Sequence, residues 1–203
     1  MKLNTLLASL LVSLTVAATP AMAQEAAWQQ SYALEAAGKY TDAMAAIDGV
    51  PANGAEAELK LLRRGWLFYL PGRFDDAIRE YRLAIEKNNR SVDARLGVIM
   101  PLLAAKRWAE AEKAAKAALD LAPNNYTALL RLIIAQEAQQ NWQGMYANAK
   151  VMTEAYPTDT TAQVYLARSL AWMSKATDAK AAYASVLTRF PGHLEAKAYL
   201  EKK

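Results

Sequence analysis

Cysteine is absent from the 203-residue chain, which excludes a disulfide framework and a thiol nucleophile and leaves packing as the source of stability. Histidine occurs once, as His193 after Pro191-Gly192, so no Cys or second His is available to share a metal with it. An excess of charge is missing too. Lys and Arg number 24 against 20 Asp and Glu, a net charge of +4 that is too small to point to nucleic acid. Only 8 residues are glycine, and a Gly-poor, Ala-rich composition favours helices. No glycine-rich phosphate cradle and no Gly-x-Ser-x-Gly elbow occurs. The carboxylates that stand close together, Asp75-Asp76 and Glu110 with Glu112, fall where helices are expected to begin, and negative charge is favoured there by the helix dipole. No catalytic group, metal or cofactor is expected, and the chain reads as non-enzymatic.

What is present starts with a targeting pattern. Lys2 precedes an apolar run from Leu3 to Ala18, Pro20 ends it, and Ala21-Met22-Ala23 has the small-x-small form of a signal-peptidase site. A helix of that length reaches about 24 Å at ~1.5 Å per residue, short of the roughly 30 Å hydrocarbon core. Residues 1–23 are therefore expected to be a cleaved export signal. Gln24 stands where a lipoprotein would carry Cys, so the mature chain, residues 24–203, is expected to be soluble and periplasmic, without a transmembrane segment.

The rest of the sequence repeats. Gly38-Lys39-Tyr40-Thr41-Asp42-Ala43, Gly72-Arg73-Phe74-Asp75-Asp76-Ala77 and Lys106-Arg107-Trp108-Ala109-Glu110-Ala111 are spaced so that Tyr40, Phe74 and Trp108 lie one 34-residue step apart, and the next step lands on Trp142. Pro123, Pro157 and Pro191 keep the same spacing. The pattern resembles the tetratricopeptide repeat (TPR), a unit of two antiparallel helices. The resemblance implies an all-α fold, a right-handed α-α superhelix of about five hairpins over residues 24–57, 58–91, 92–125, 126–159 and 160–193, with a cap over 194–203. Ala43, Ala77, Ala111 and Ala179 take the small position where the paired helices cross, and Met145 departs from it. Ala176 replaces the aromatic wedge in the fifth unit, which is expected to pack more loosely. Gly49, Pro51, Asn53 and Gly54 shorten the second helix of the first unit, and Pro101 is expected to kink the first helix of the third.

In this family the first helix of each unit lines the concave face. The resemblance thus places in a groove Trp28, Tyr32 and Glu35, then Leu62, Trp66, Tyr69 and Leu70, then Leu96, Met100 and Leu103, then Leu130, Ile134 and Glu137, and finally Val164, Arg168 and Trp172. Such a strip is largely apolar and aromatic, suited to a hydrophobic peptide or the apolar face of a helix. Trp28 and Tyr32 stand where chaperone-clamping members carry Lys and Asn, which argues against that use. The arginines from Arg63 to Arg95 read mainly as solvated faces, with an acidic partner as the alternative. The expected role is a protein-binding scaffold or adaptor of the bacterial cell envelope. Two alternatives stay open: a self-assembling homo-oligomer, and a glycan or cell-wall binding module.

Overall fold

The computed structural model describes residues 20–202, so the expected export signal lies outside the described residues except for its last four. Among the described residues all regular structure is helical: α1 (Pro20–Ala36), α2 (Tyr40–Ala46), α3 (Gly54–Tyr69), α4 (Phe74–Lys87), α5 (Val92–Ala104), α6 (Trp108–Leu121), α7 (Tyr126–Ala138), α8 (Trp142–Ala155), α9 (Thr160–Trp172), α10 (Ala176–Arg189) and α11 (Leu194–Glu201). Each helix packs on the next in sequence, and α5 also touches α3 on one side and α7 on the other. The result is a solenoid of helical hairpins, its odd-numbered helices side by side along one face.

Short-range chemistry fixes the helix ends, and it recurs with the repeat. Within a hairpin the turn contains one residue in the left-handed region: Gly38, Gly72, Lys106, Gln140 and Ser174, with φ between 57° and 85°. The amide after each of them reaches back five residues, as in Arg73 to the Phe68 carbonyl at 3.0 Å and Asn141 to the Gln136 carbonyl at 2.9 Å, which closes a Schellman turn. Glycine adopts that conformation freely, whereas Lys, Gln and Ser do so at a cost. Between hairpins, except at the entry to α3, a side chain caps the incoming helix. Ser91, Asn125, Asp159 and His193 each accept a hydrogen bond from the amide three residues on. His193 is thus half-buried cap rather than free loop.

Packing follows the small positions. Ala43, Ala77, Ala111 and Ala179 have no exposed surface, and neither does Met145, whose flexible side chain fills the core between Leu129, Ile133, Ala149 and Ala162. Ala176, lacking the aromatic ring of its counterparts, is exposed. Tyr81 is the large core residue of the second unit. A Cβ added at Gly65 would lie 2.9 Å from its ring, and one added at Gly97 would lie 2.2 Å from it, so the ring sits in a slot that two glycines open between α3 and α5. Pro101 is buried within α5, and the helix continues through it to Ala104.

Candidate partner-binding groove

The first helices carry the groove residues inward at the spacing of a helical face, but the face is two cavities rather than one strip. Trp28 and Tyr32 of α1 and Leu62 and Trp66 of α3 line a cavity of about 640 Å³ together with Glu35, Glu56, Leu59 and Arg63. Tyr32 is 58 % exposed and Leu59 49 %, which leaves apolar surface open at its mouth. Leu70 shares a smaller adjoining recess with Tyr32 and Tyr40. Tyr69 turns partly into the core, its ring 5.6 Å from Trp66 and 5.9 Å from Phe74. Met100 and Ile134 are half-buried midway along the solenoid and line neither main cavity. At the far end Arg168 and Trp172 line a second cavity of about 470 Å³ with Glu137, Tyr183, Glu195 and Tyr199. There the Trp172 indole stacks on Trp142 at 5.0 Å and 11° while remaining 57 % exposed.

Charged groups interrupt the apolar surface and stitch neighbouring first helices together. From α3, Arg63 donates through Nε to Ser31 Oγ at 3.1 Å and through Nη1 to Glu35 Oε2, and its guanidinium lies 4.0 Å over the Tyr32 ring. Trp66 Nε1 donates to Glu35 Oε1 at 2.6 Å. Arg131 of α7 donates to the Leu96 carbonyl of α5 at 2.5 Å. Arg168 of α9 bridges both ways, to Glu137 at 2.9 Å and to Glu195 of α11 at 2.6 Å. The expected greasy strip is corrected accordingly: it is broken by ion pairs. Arg63 is 7 % exposed, not part of a solvated face, because a long cation can be buried where its protons find acceptors.

The tetratricopeptide-repeat family matches residues 161–193. By fold, the chain is similar to MamA from Desulfovibrio magneticus RS-1, with TM-score 0.73 and 13 % identity over 85 % of this chain and 97 % of that one. It is similar as well to a tetratricopeptide repeat protein from Parabacteroides merdae, with TM-score 0.76 and 15 % identity over 88 % of this chain and 71 % of the other. A third likeness is to YrrB, described as a TPR protein with an unusual peptide-binding site, with TM-score 0.70 and 14 % identity over 85 % and 89 % of the two chains. No curated protein matches by sequence. By fold, the chain is a solenoid of the tetratricopeptide-repeat type.

In this TPR solenoid α11 behaves as the first helix of a further unit. It starts at Leu194, one repeat length after Thr160 of α9, so Glu195 continues the inner face and meets Arg168. Burial pushes the Glu195 carboxyl up, but hydrogen bonds from Arg168 and Tyr183 outweigh this and hold it below the ordinary carboxylate value. The Glu195 hydrogen bond raises the Arg168 guanidinium above its usual value, and burial raises the Tyr183 phenol. Arg131 is shifted the other way, its guanidinium lowered by burial beside Tyr81 and Tyr69. Sequence reasoning missed Glu56, Leu59, Ser31 and Glu195. Leu59 was findable, since it sits one helical turn before Leu62 on the same face. The bond between Ser31 and Arg63 joins different repeats and has no signature in the repeat pattern.

Proposed function

We propose that this TPR solenoid is a non-enzymatic scaffold or adaptor that holds a segment of another protein, as a hydrophobic peptide or the apolar face of a helix, against Trp28, Tyr32, Leu59, Leu62 and Trp66. The observation that carries this reading is the open cavity between α1 and α3, where Tyr32 and Leu59 stay about half exposed. Aromatic anchors in a concave apolar surface are what a peptide segment buries best. The polar seam supports the same view, because it makes the groove wall rigid and so reduces the ordering cost of binding. The leader-like residues 1–23 support a cell-envelope setting, with the mature chain in the periplasm. Among the described residues no helix is long and apolar enough to cross a membrane.

The test is site-specific photocrosslinking in intact cells, with a photoreactive residue at Tyr32 or Leu59 and a control at Val151, which is exposed on α8. A protein captured from the cavity positions, absent from Val151, and bound by the purified chain but not by its Leu59→Ser variant is the expected result. Equal capture at all three positions would dismiss the reading. Fusing residues 1–23 to a reporter that is active only after export tests the setting.

A second reading draws on the other cavity. The exposed indole of Trp172, backed by Trp142, offers a flat face for a sugar ring, and glycan fragments that leave the tryptophan fluorescence of wild type and Trp172→Ala alike would exclude it.

A further inference from the structure

We propose that the segment held between α1 and α3 carries a lysine or arginine beside its apolar anchor, and that Glu56 receives this cation. The proposal rests on the peptide-binding reading above and adds the chemistry of the partner.

Charge within the cavity is uneven. Its charged lining groups are Glu35, Glu56 and Arg63. Arg63 and Glu35 neutralise one another, and Glu35 also accepts from Trp66. That leaves the negative charge of Glu56 without a cation among the groups lining the cavity. Lys60, the nearest lysine in sequence, is committed elsewhere: its Nζ donates to the Asp48 and Val50 carbonyls. Glu56 lies in the first turn of α3, on the wall of the cavity.

Two unmet hydrogen-bonding atoms point the same way. Glu56 Oε2 and Arg63 Nη2 are both buried without a partner, and the Arg63 side chain is only 6 % exposed. A charged atom withdrawn from water without a partner is unfavourable. Both residues line this one cavity, so a small turn of each side chain toward a single occupant satisfies both atoms, the occupant accepting from Arg63 and donating to Glu56. A peptide supplies the acceptor with a main-chain carbonyl. Its donor is a basic side chain, since a main-chain amide satisfies the hydrogen bond and leaves the charge. The walls suit a cation as well: Arg63 already stacks on Tyr32 at 4.0 Å, and Trp28 and Trp66 offer further ring faces. An acidic residue in the same place meets repulsion from Glu56.

The experiment is fluorescence anisotropy of the purified chain with three labelled peptides identical except at one position, Lys, Gln or Glu, beside a Leu-Phe anchor in a Gly-Ser background. The expected order is Lys tightest, with roughly a tenfold preference over Gln, the low end of what a hydrogen bond between charged groups contributes. In Glu56→Gln that preference should fall below about twofold while anchor-dependent binding, judged by its loss in Leu59→Ser, remains. Far-UV circular dichroism checks that both variants stay helical. Equal binding of all three peptides that still depends on Leu59 would overturn the basic-partner proposal and leave the apolar groove standing. Preference for the Glu peptide, or a Lys preference unchanged in Glu56→Gln, would overturn it likewise. Binding of none, or binding indifferent to Leu59→Ser, would overturn the groove reading together with it.

Discussion

Replacing Gly97 by alanine is expected to destabilise the solenoid, although alanine is the better helix former by ~1 kcal/mol. The added Cβ would stand 2.2 Å from Tyr81 Cε1 and 2.5 Å from Cδ1, where ordinary carbon contacts lie at roughly 3.5–4.0 Å. The ring would have to retreat by more than about 1 Å. Its far side faces Gly65, where even a hypothetical Cβ would lie only 2.9 Å away, so α3 blocks the retreat. Overpacking of this kind costs about 1–3 kcal/mol, and a blocked ring belongs at or beyond the upper end. Against the gain in helix propensity, a net loss of about 2 kcal/mol follows. For a chain of this size that lowers Tm by roughly 4–8 °C. Urea and thermal unfolding followed by circular dichroism at 222 nm read the change. Gly65→Ala gains the same propensity and has a milder overlap, so its net loss should be smaller. In a Tyr81→Leu background the cost of Gly97→Ala should shrink by at least about 1 kcal/mol. A Gly97→Ala chain as stable as its parent, or a penalty unaffected by Tyr81→Leu, would refute the slot.

Gln140 holds φ 57° in a Schellman turn and its side chain is exposed, so Gln140→Gly should raise stability by about 0.5–1 kcal/mol, read as a higher urea midpoint. Asn125→Ala removes the acceptor of the Ala128 amide and should cost about 1 kcal/mol, with faster hydrogen exchange in the first turn of α7. Glu195 titrates below its ordinary value of 4.5, so its stabilisation of α11 is complete above that pH and is lost as pH falls through the lower folded value. NMR amide signals of α11 should shift cooperatively in that acidic range. Glu195→Gln should abolish the transition and loosen α11 at neutral pH.

The sequence by itself determined the helices and their period. The step from Tyr40 to Phe74, Trp108 and Trp142 marks the first residue of four second helices, because one repeat length brings the same side chains to the same contacts and a single hairpin buries too little apolar surface to stand alone. It also marked Ala43, Ala77, Ala111 and Ala179 as buried crossing points, since a small side chain is needed where two paired helix axes approach. Pro101 shows where local propensity was insufficient: proline weakens an isolated helix, yet α5 continues through it with its apolar neighbours Ile99 and Leu102 held in the core.

Only the tertiary structure decided the character of the inner face. Arg63 looked like a surface cation because its acceptors, Ser31 and Glu35, lie about thirty residues earlier on another helix, and burial of a charge depends on partners that sequence proximity does not reveal. Arg168 finds Glu137 and Glu195 on opposite neighbours for the same reason. Periodicity tells which residues face inward. Whether they meet one another, a cavity or a partner is set by how closely successive helices pack, and that distance comes from side chains such as Tyr81, Met145 and Trp142 acting together rather than from any one segment of the chain.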